Sequence, residues 1–126
     1  MFKRIDHVEL VPSDVERTIK FYTDILGFTL TERIPVNAPP LLEVVFLRLQ
    51  DTMVEFLVMS DPIPTVKSPN QIGYHCLALE VDDMDQTIAD LQAKGVEITW
   101  GPVSLGPAKR AEIHDPDGLP IELRQW

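Results

Sequence analysis

Apolar and polar residues alternate through Ile5-Asp6-His7-Val8-Glu9-Leu10-Val11, the two-residue period of a half-buried strand. Pro12 ends the run, and Val15, Ile19, Tyr22 and Leu26 then recur at helical spacing. Ser13 with Glu16 three residues on makes a capping box, in which the hydroxyl accepts from the Glu16 amide. Gly27 stands where a C′ residue belongs, so the pattern predicts a helix over 14–26. A second strand reads at 74–81, and Asp82 or Asp83 caps a helix carrying Met84, Ile88 and Leu91 that stops at Gly95. A strand follows each glycine, at 28–34 and 96–100. Two more close each half, at 43–50 and 53–59, then at 109–114 and 119–126.

The two halves carry one plan. Asp14-Val15-Glu16-Arg17-Thr18-Ile19 lies over Asp83-Met84-Asp85-Gln86-Thr87-Ile88, and both Gly27/Gly95 and His7/His75 are 68 residues apart. Cap, helix face, glycine stop and histidine agree in order, which argues against chance. The expected fold is α+β: two tandem βαβββ modules forming a curved, barrel-like mixed sheet with helices outside. The first module takes 1–59 and the second 73–126, within one compact domain. Between them, 60–72 holds Pro62, Pro64 and Pro69 among turn formers and reads as a linker.

Composition narrows the function classes. A chain of 126 residues with 44% apolar and 25% charged residues builds one globular core without staples. The single cysteine, Cys76, excludes an internal disulfide framework and fits a cytoplasmic protein. Lys3, Arg4 and Asp6 stand where a signal peptide needs an apolar stretch, and no run approaches the ~20 apolar residues that span a bilayer. A net charge of -9, from 11 basic and 20 acidic residues, repels a nucleic-acid backbone.

Chemistry enters through the repeat. Each last strand carries a glutamate, Glu55 and Glu122, at 48 residues from His7 and 47 from His75. Side chains alternate across a strand, so Val54, Phe56 and Val58 pack on a helix while Glu55 lies opposite, beside Met53, Leu57 and Met59. Ile121 and Leu123 oppose Glu122 in the same way. A carboxylate among apolar neighbours neutralises, pairs or binds metal. Two imidazoles and two carboxylates suit one divalent ion of nickel, cobalt, zinc, manganese or iron, with open positions for substrate. Taken singly, each residue has a blander reading: a satisfied core histidine, or a surface acid. Together, with matched intervals, they read as metal ligands. Glu9 shares a face with His7 as an outer-shell acid or a solvated residue. Cys76 falls opposite His75 as an inert buried thiol, and His114 ends a strand near solvent. Lys109 and Arg110 either meet an anionic substrate or are simply exposed. Trp100, Phe46 and Phe56 read as core.

These residues resemble the vicinal oxygen chelate superfamily, which includes glyoxalase I, methylmalonyl-CoA epimerase, extradiol dioxygenases and the fosfomycin and bleomycin resistance proteins. The likeness rests on Ile5-Asp6-His7-Val8, on Thr18-Ile19-Lys20-Phe21-Tyr22 through Leu26-Gly27-Phe28, and on Asp115-Pro116-Asp117-Gly118 followed by Ile121-Glu122-Leu123. The order His7, Glu55, His75, Glu122 is similar to that of bacterial glyoxalase I. The resemblance implies a metal-dependent lyase or isomerase that moves a proton beside a carbonyl through a metal-bound enediolate, as in a methylglyoxal–thiol hemithioacetal. Glu122 would then shuttle the proton, with Glu55 as its counterpart, no organic cofactor, and a homodimer as the assembly. Val11 and Met59 stand where glyoxalase I usually has an arginine and an asparagine for glutathione, which implies a more apolar pocket or a different thiol. An epimerase-like isomerase is the nearest alternative, although its second ligand is typically glutamine. A drug-binding protein of the bleomycin-resistance type is the alternative from another class.

Overall fold

The computed structural model describes residues 1–65, 68 and 70–126; the expected linker at 60–72 thus falls partly outside the described residues. The chain divides into two compact units, Met1–Lys67 and Ser68–Trp126. The first contains β1 (Val8–Leu10), α1 (Val15–Lys20), a π-helical turn (Phe21–Ile25), β2 (Thr29–Ala38), β3 (Leu41–Leu49) and β4 (Thr52–Met59). The second contains β5 (Leu77–Glu80), α2 (Met84–Ala93), β6 (Trp100–Leu105), β7 (Ala108–His114) and β8 (Pro120–Gln125). Both are βαβββ modules. Their sheets run β1-β4-β3-β2 and β5-β8-β7-β6, with β1 parallel to β4, β5 parallel to β8 and the other pairs antiparallel. The α+β repeat is realised as two four-stranded mixed sheets, one in each unit.

Alternation sorts each sheet into an apolar and a polar face. In the first unit Val45, Leu47, Val54 and Phe56 are buried, and register sets Val45 opposite Phe56 and Leu47 opposite Val54. Tyr22 lays its ring edge-on against Phe56 at 5.1 Å and Phe28 at 5.5 Å, which fixes the helix to this face. In the second unit Ala111, Ile113, Ile121 and Leu123 are buried with Met84 and Leu91 of α2. The Gln125 side-chain carbonyl accepts from the Met84 amide at 2.7 Å and ties β8 to the start of α2.

Several expected boundaries move, each for a physical reason. The first helix is capped by Asp14, not Ser13: Asp14 is extended and its carboxylate accepts from the Arg17 amide at 3.1 Å. An aspartate also adds charge at the positive end of the helix, and Asp83 caps α2 in the same way. Gly27 follows its cap by thirteen residues and Gly95 by twelve, so the first helix holds one extra residue. The π-helical turn absorbs it, with the Leu26 amide reaching back five residues to the Phe21 carbonyl at 3.2 Å. β2 extends to Ala38 because its hairpin with β3 continues to the turn at Pro39 and Pro40; exposed nearly throughout, it lacks the alternation that would have marked it. β6 starts only at Trp100. The Val96 amide closes the helix end on the Leu91 carbonyl, and Thr99 bonds the Glu112 carbonyl with both its amide and its hydroxyl.

Candidate functional site

β1 is short, and His7 lies just before it, but strand parity still carries His7 to the face of Glu9 and Glu55. The register pairs Glu9 with Glu55 and Phe46 with Glu55, so the four side chains neighbour one another. His7 Nε2 stands 3.0 Å from Glu55 Oε2 and 3.4 Å from Glu9 Oε1, while Nδ1 stands 2.8 Å from Asp6 Oδ2. The imidazole meets the Phe46 ring edge-on at 6.5 Å. Glu55 is only 8% exposed. Val44, Met53, Leu57 and Met59, all half-buried, share this face and surround it with apolar surface.

The electrostatics follow from that packing. Burial first, then the charge of Glu9, pushes the Glu55 carboxyl above its ordinary value, against the pull of His7. The hydrogen bonds to Asp6 and Glu9 raise His7, and the same Asp6–His7 bond holds Asp6 below its usual range. A carboxylate orienting one ring nitrogen while the other faces a second carboxylate is a frequent arrangement behind metal-binding histidines. Ligand atoms of His7, Glu9 and Glu55 all lie within 4.8 Å of one another. One nitrogen and two oxygens, one of them on a nearly buried carboxylate, fit a divalent transition-metal ion. Glu9 belongs to this group more closely than an outer-shell role suggested. The signal was present in the sequence, since Glu9 lies two residues from His7 on a two-residue period.

The second unit is built differently at the matching place. Arg124 donates to Glu122 Oε1 from Nε at 2.9 Å and from Nη2 at 2.7 Å, and Arg110 Nε stands 3.1 Å from Glu122 Oε2. Burial pushes the Glu122 carboxyl up, but the two guanidinium groups outweigh it and hold the group below its ordinary value. Among the described residues, the ion pairs of Glu122 go to these arginines and not to His75. His75 is exposed in the unpaired stretch before β5, outside the strand expected over 74–81. The reason is Pro120: the register of Leu77 with Ile121 would set Cys76 against Pro120, which has no amide to donate, so the ladder stops. Ala78 is the partner of Glu122, which puts Cys76, two residues earlier, in phase with Glu122's face. Cys76 is half-buried, and burial together with the Glu122 charge raises its thiol. The one-residue difference between the two His-to-Glu intervals thus changes which residue is in phase.

The hairpin that presents Glu122 is closed by Asp115-Pro116-Asp117-Gly118. Buried Asp115 accepts from the amides of Asp117 and Leu119, both at 2.9 Å, and Gly118 takes φ +77°. His114 ends β7 exposed, 3.8 Å from Glu112. Lys109 contacts Asp85 at 3.4 Å. Phe56 is core and Phe46 lines the Glu55 face, but Trp100 is 42% exposed rather than core. Sequence reasoning passed over Arg124 and Trp126; two-residue spacing on either side of Glu122 and Arg124 was the available signal.

Comparison with known proteins agrees with this architecture. The chain is 32% identical over 123 residues to a lactoylglutathione lyase of Haemophilus influenzae, covering 95% of this chain and 90% of that protein. It is 30% identical over 130 residues to the mitochondrial methylmalonyl-CoA epimerase of Homo sapiens, covering 97% of this chain and 73% of that protein. The crystal structure of a glyoxalase family protein from Enterococcus faecalis superposes with a TM-score of 0.84 at 28% identity, covering 98% of both chains. A family model described as the Glyoxalase/Bleomycin resistance protein/Dioxygenase superfamily matches residues 4–123, and this chain, with its two βαβββ units, belongs to that family.

Proposed function

We propose that this protein is a metal-dependent lyase or isomerase of the glyoxalase I type, moving a proton between carbons beside a carbonyl in a small substrate. The observation that carries the reading is the 3.0 Å approach of His7 Nε2 to a nearly buried Glu55 carboxylate, with Glu9 in reach. His7 and Glu55 are one pair of ligands. His75 and Glu122, their counterparts in the sequence repeat, are the other, and the unpaired backbone at His75 leaves its side chain untied to strand parity. When bound, a divalent ion supplies the positive charge that acidifies a C–H next to a carbonyl. Glu122 and Glu55 are the carboxylates that take the proton from one carbon and return it to the next, so the substrate rearranges without loss of atoms. Val44, Phe46, Leu57 and Met59 line the Glu55 side with apolar surface, and a less polar surrounding strengthens the charge interactions there. The reading carries with it a cytoplasmic homodimer; among the described residues no helix is long and apolar enough to cross a membrane.

A second reading is an isomerase like methylmalonyl-CoA epimerase, favoured by the similarity to the human mitochondrial protein. The test pairs elemental analysis of the purified protein with assays on methylglyoxal plus glutathione and on methylmalonyl-CoA. Stoichiometric metal with turnover of the first substrate is the expected result, and turnover of the second alone selects the epimerase reading. A metal-free protein that turns over neither but binds apolar drugs would be a binding member of the family instead.

A further inference from the structure

The glutamate faces of the two units differ in a way the shared fold does not require. In the first unit the residues flanking Glu55 are Val44 on β3 and Leu57 on β4, a cross-strand pair. The corresponding cross-strand pair around Glu122 is Arg110 and Arg124. Two like charges directly opposite each other on a sheet destabilise it unless an anion lies between them. The anion here is the Glu122 carboxylate.

Each guanidinium is backed by an indole, Arg110 over Trp100 at 4.9 Å and Arg124 over Trp126 at 5.0 Å. Stacking on the flat face leaves the N–H edge free to meet a planar anion, a use of arginine that lysine cannot copy. Both side chains remain about one quarter exposed. Arg110 Nε is buried and approaches Glu122 off the line of a good hydrogen bond, so among the described residues it has no well-aimed acceptor. The other acids on this face are Glu112, 3.6 Å from Arg110, and Glu80, the register partner of Arg124. If Glu122 turns away, Arg110 keeps Glu112, while Arg124 gives up both of its bonds to Glu122.

We propose that Arg110 and Arg124 form a carboxylate-binding fork for the substrate, which the Glu122 carboxylate occupies until it engages an ion or substrate. The class of guest follows from the group seated there now: a planar carboxylate, shared between two guanidinium groups 3.1 Å or less from its oxygens. This assigns the substrate a free carboxylate in addition to its reacting carbonyl. The inference rests on the proposed function only for the engagement of Glu122; the fork itself lies within the second unit and is tested without metal.

Succinate is titrated calorimetrically into the metal-free full-length protein and its variants, with inorganic phosphate in parallel. Glu122→Ala empties the fork, and succinate binding is expected to tighten at least tenfold over the parent protein. Adding Arg124→Gln or Arg110→Gln to that background is expected to reverse the gain, and Arg124→Lys to recover only part of it. Glu122→Ser, whose short side chain also vacates the fork, serves if the alanine variant does not fold. Equal succinate affinity in Glu122→Ala and the parent, or in Glu122→Ala with and without Arg124→Gln, overturns the proposal. Tighter binding of phosphate than of succinate overturns the carboxylate assignment. Manganese uptake by the parent, measured separately, reports on the metal reading, so the two can fail independently.

Discussion

Glu55 and Glu122 occupy matching strands and face opposite electrostatics, and the difference lies in their neighbours. Glu55 has apolar walls, a second acid and one imidazole, so burial dominates; Glu122 has two guanidinium groups, so pairing dominates. Replacing Glu55 with glutamine keeps its shape and removes a charged donor. The expected outcome is a folded protein whose metal affinity falls by roughly 100-fold, read by competition with a chromophoric chelator. Glu9→Gln is expected to weaken uptake by about tenfold in the same assay, and no change would exclude Glu9 from the donor group. Asp115 is a separate case, because its carboxylate satisfies two backbone amides in a buried turn. Asp115→Ala should cost about 2–3 kcal/mol in chemical denaturation, the loss of two charge-assisted bonds to a buried carboxylate.

At the scale of elements, the caps are where sequence and structure part by one residue. A serine followed by a glutamate at the right interval looks like a capping box, but an extended Asp14 takes the role. Asp14→Ala and Asp83→Ala are each expected to lower stability by about 1 kcal/mol, and Ser13→Ala to leave thermal unfolding nearly unchanged. β2 and β3 are joined by Arg33, whose guanidinium meets Glu43 at 2.6 Å and Glu16 at 2.8 Å. The bond to Arg33 holds the Glu43 carboxyl below its ordinary value. A depressed carboxyl adds stability above its unfolded value and loses it as pH falls through the folded one. Unfolding measured from neutral pH into the acid range should therefore be less steep for Glu43→Gln, and identical slopes would remove the pair from the account; its half-exposed position makes the effect small. Gly101 adopts φ +77° at a bulge in β6, and an added Cβ would lie 2.7 Å from the Arg110 carbonyl. Gly101→Ala combines that clash with backbone strain, and a lowered melting temperature is expected.

Metal removal acts on the whole molecule. Chelation should abolish turnover, re-addition of one divalent ion per chain should restore it, and saturating metal should stabilise the fold. At a hundredfold excess over the dissociation constant, that gain is about 2.7 kcal/mol, visible as a shift of several degrees in a melt. His7→Ala and His75→Ala should both lose the gain if each unit supplies a ligand; retention in His75→Ala would confine the site to His7, Glu9 and Glu55.

From the chain alone came the duplicated βαβββ plan, the glycine helix stops and the faces of the strands. These are local properties: alternation, capping and the left-handed turn are written within a few consecutive residues. The His7–Glu55 pair was legible for the same reason, because equal parity on neighbouring strands brings both to one face. What only the folded structure decided was register and company. Which residue stands beside Glu122 depends on the register of β5 against β8, which pairs it with Ala78. Whether a glutamate is raised or lowered depends on arginines from a neighbouring strand position. Register slips by single residues while side chains alternate with period two, so a shift too small to disturb the pattern of elements reverses which group faces the site.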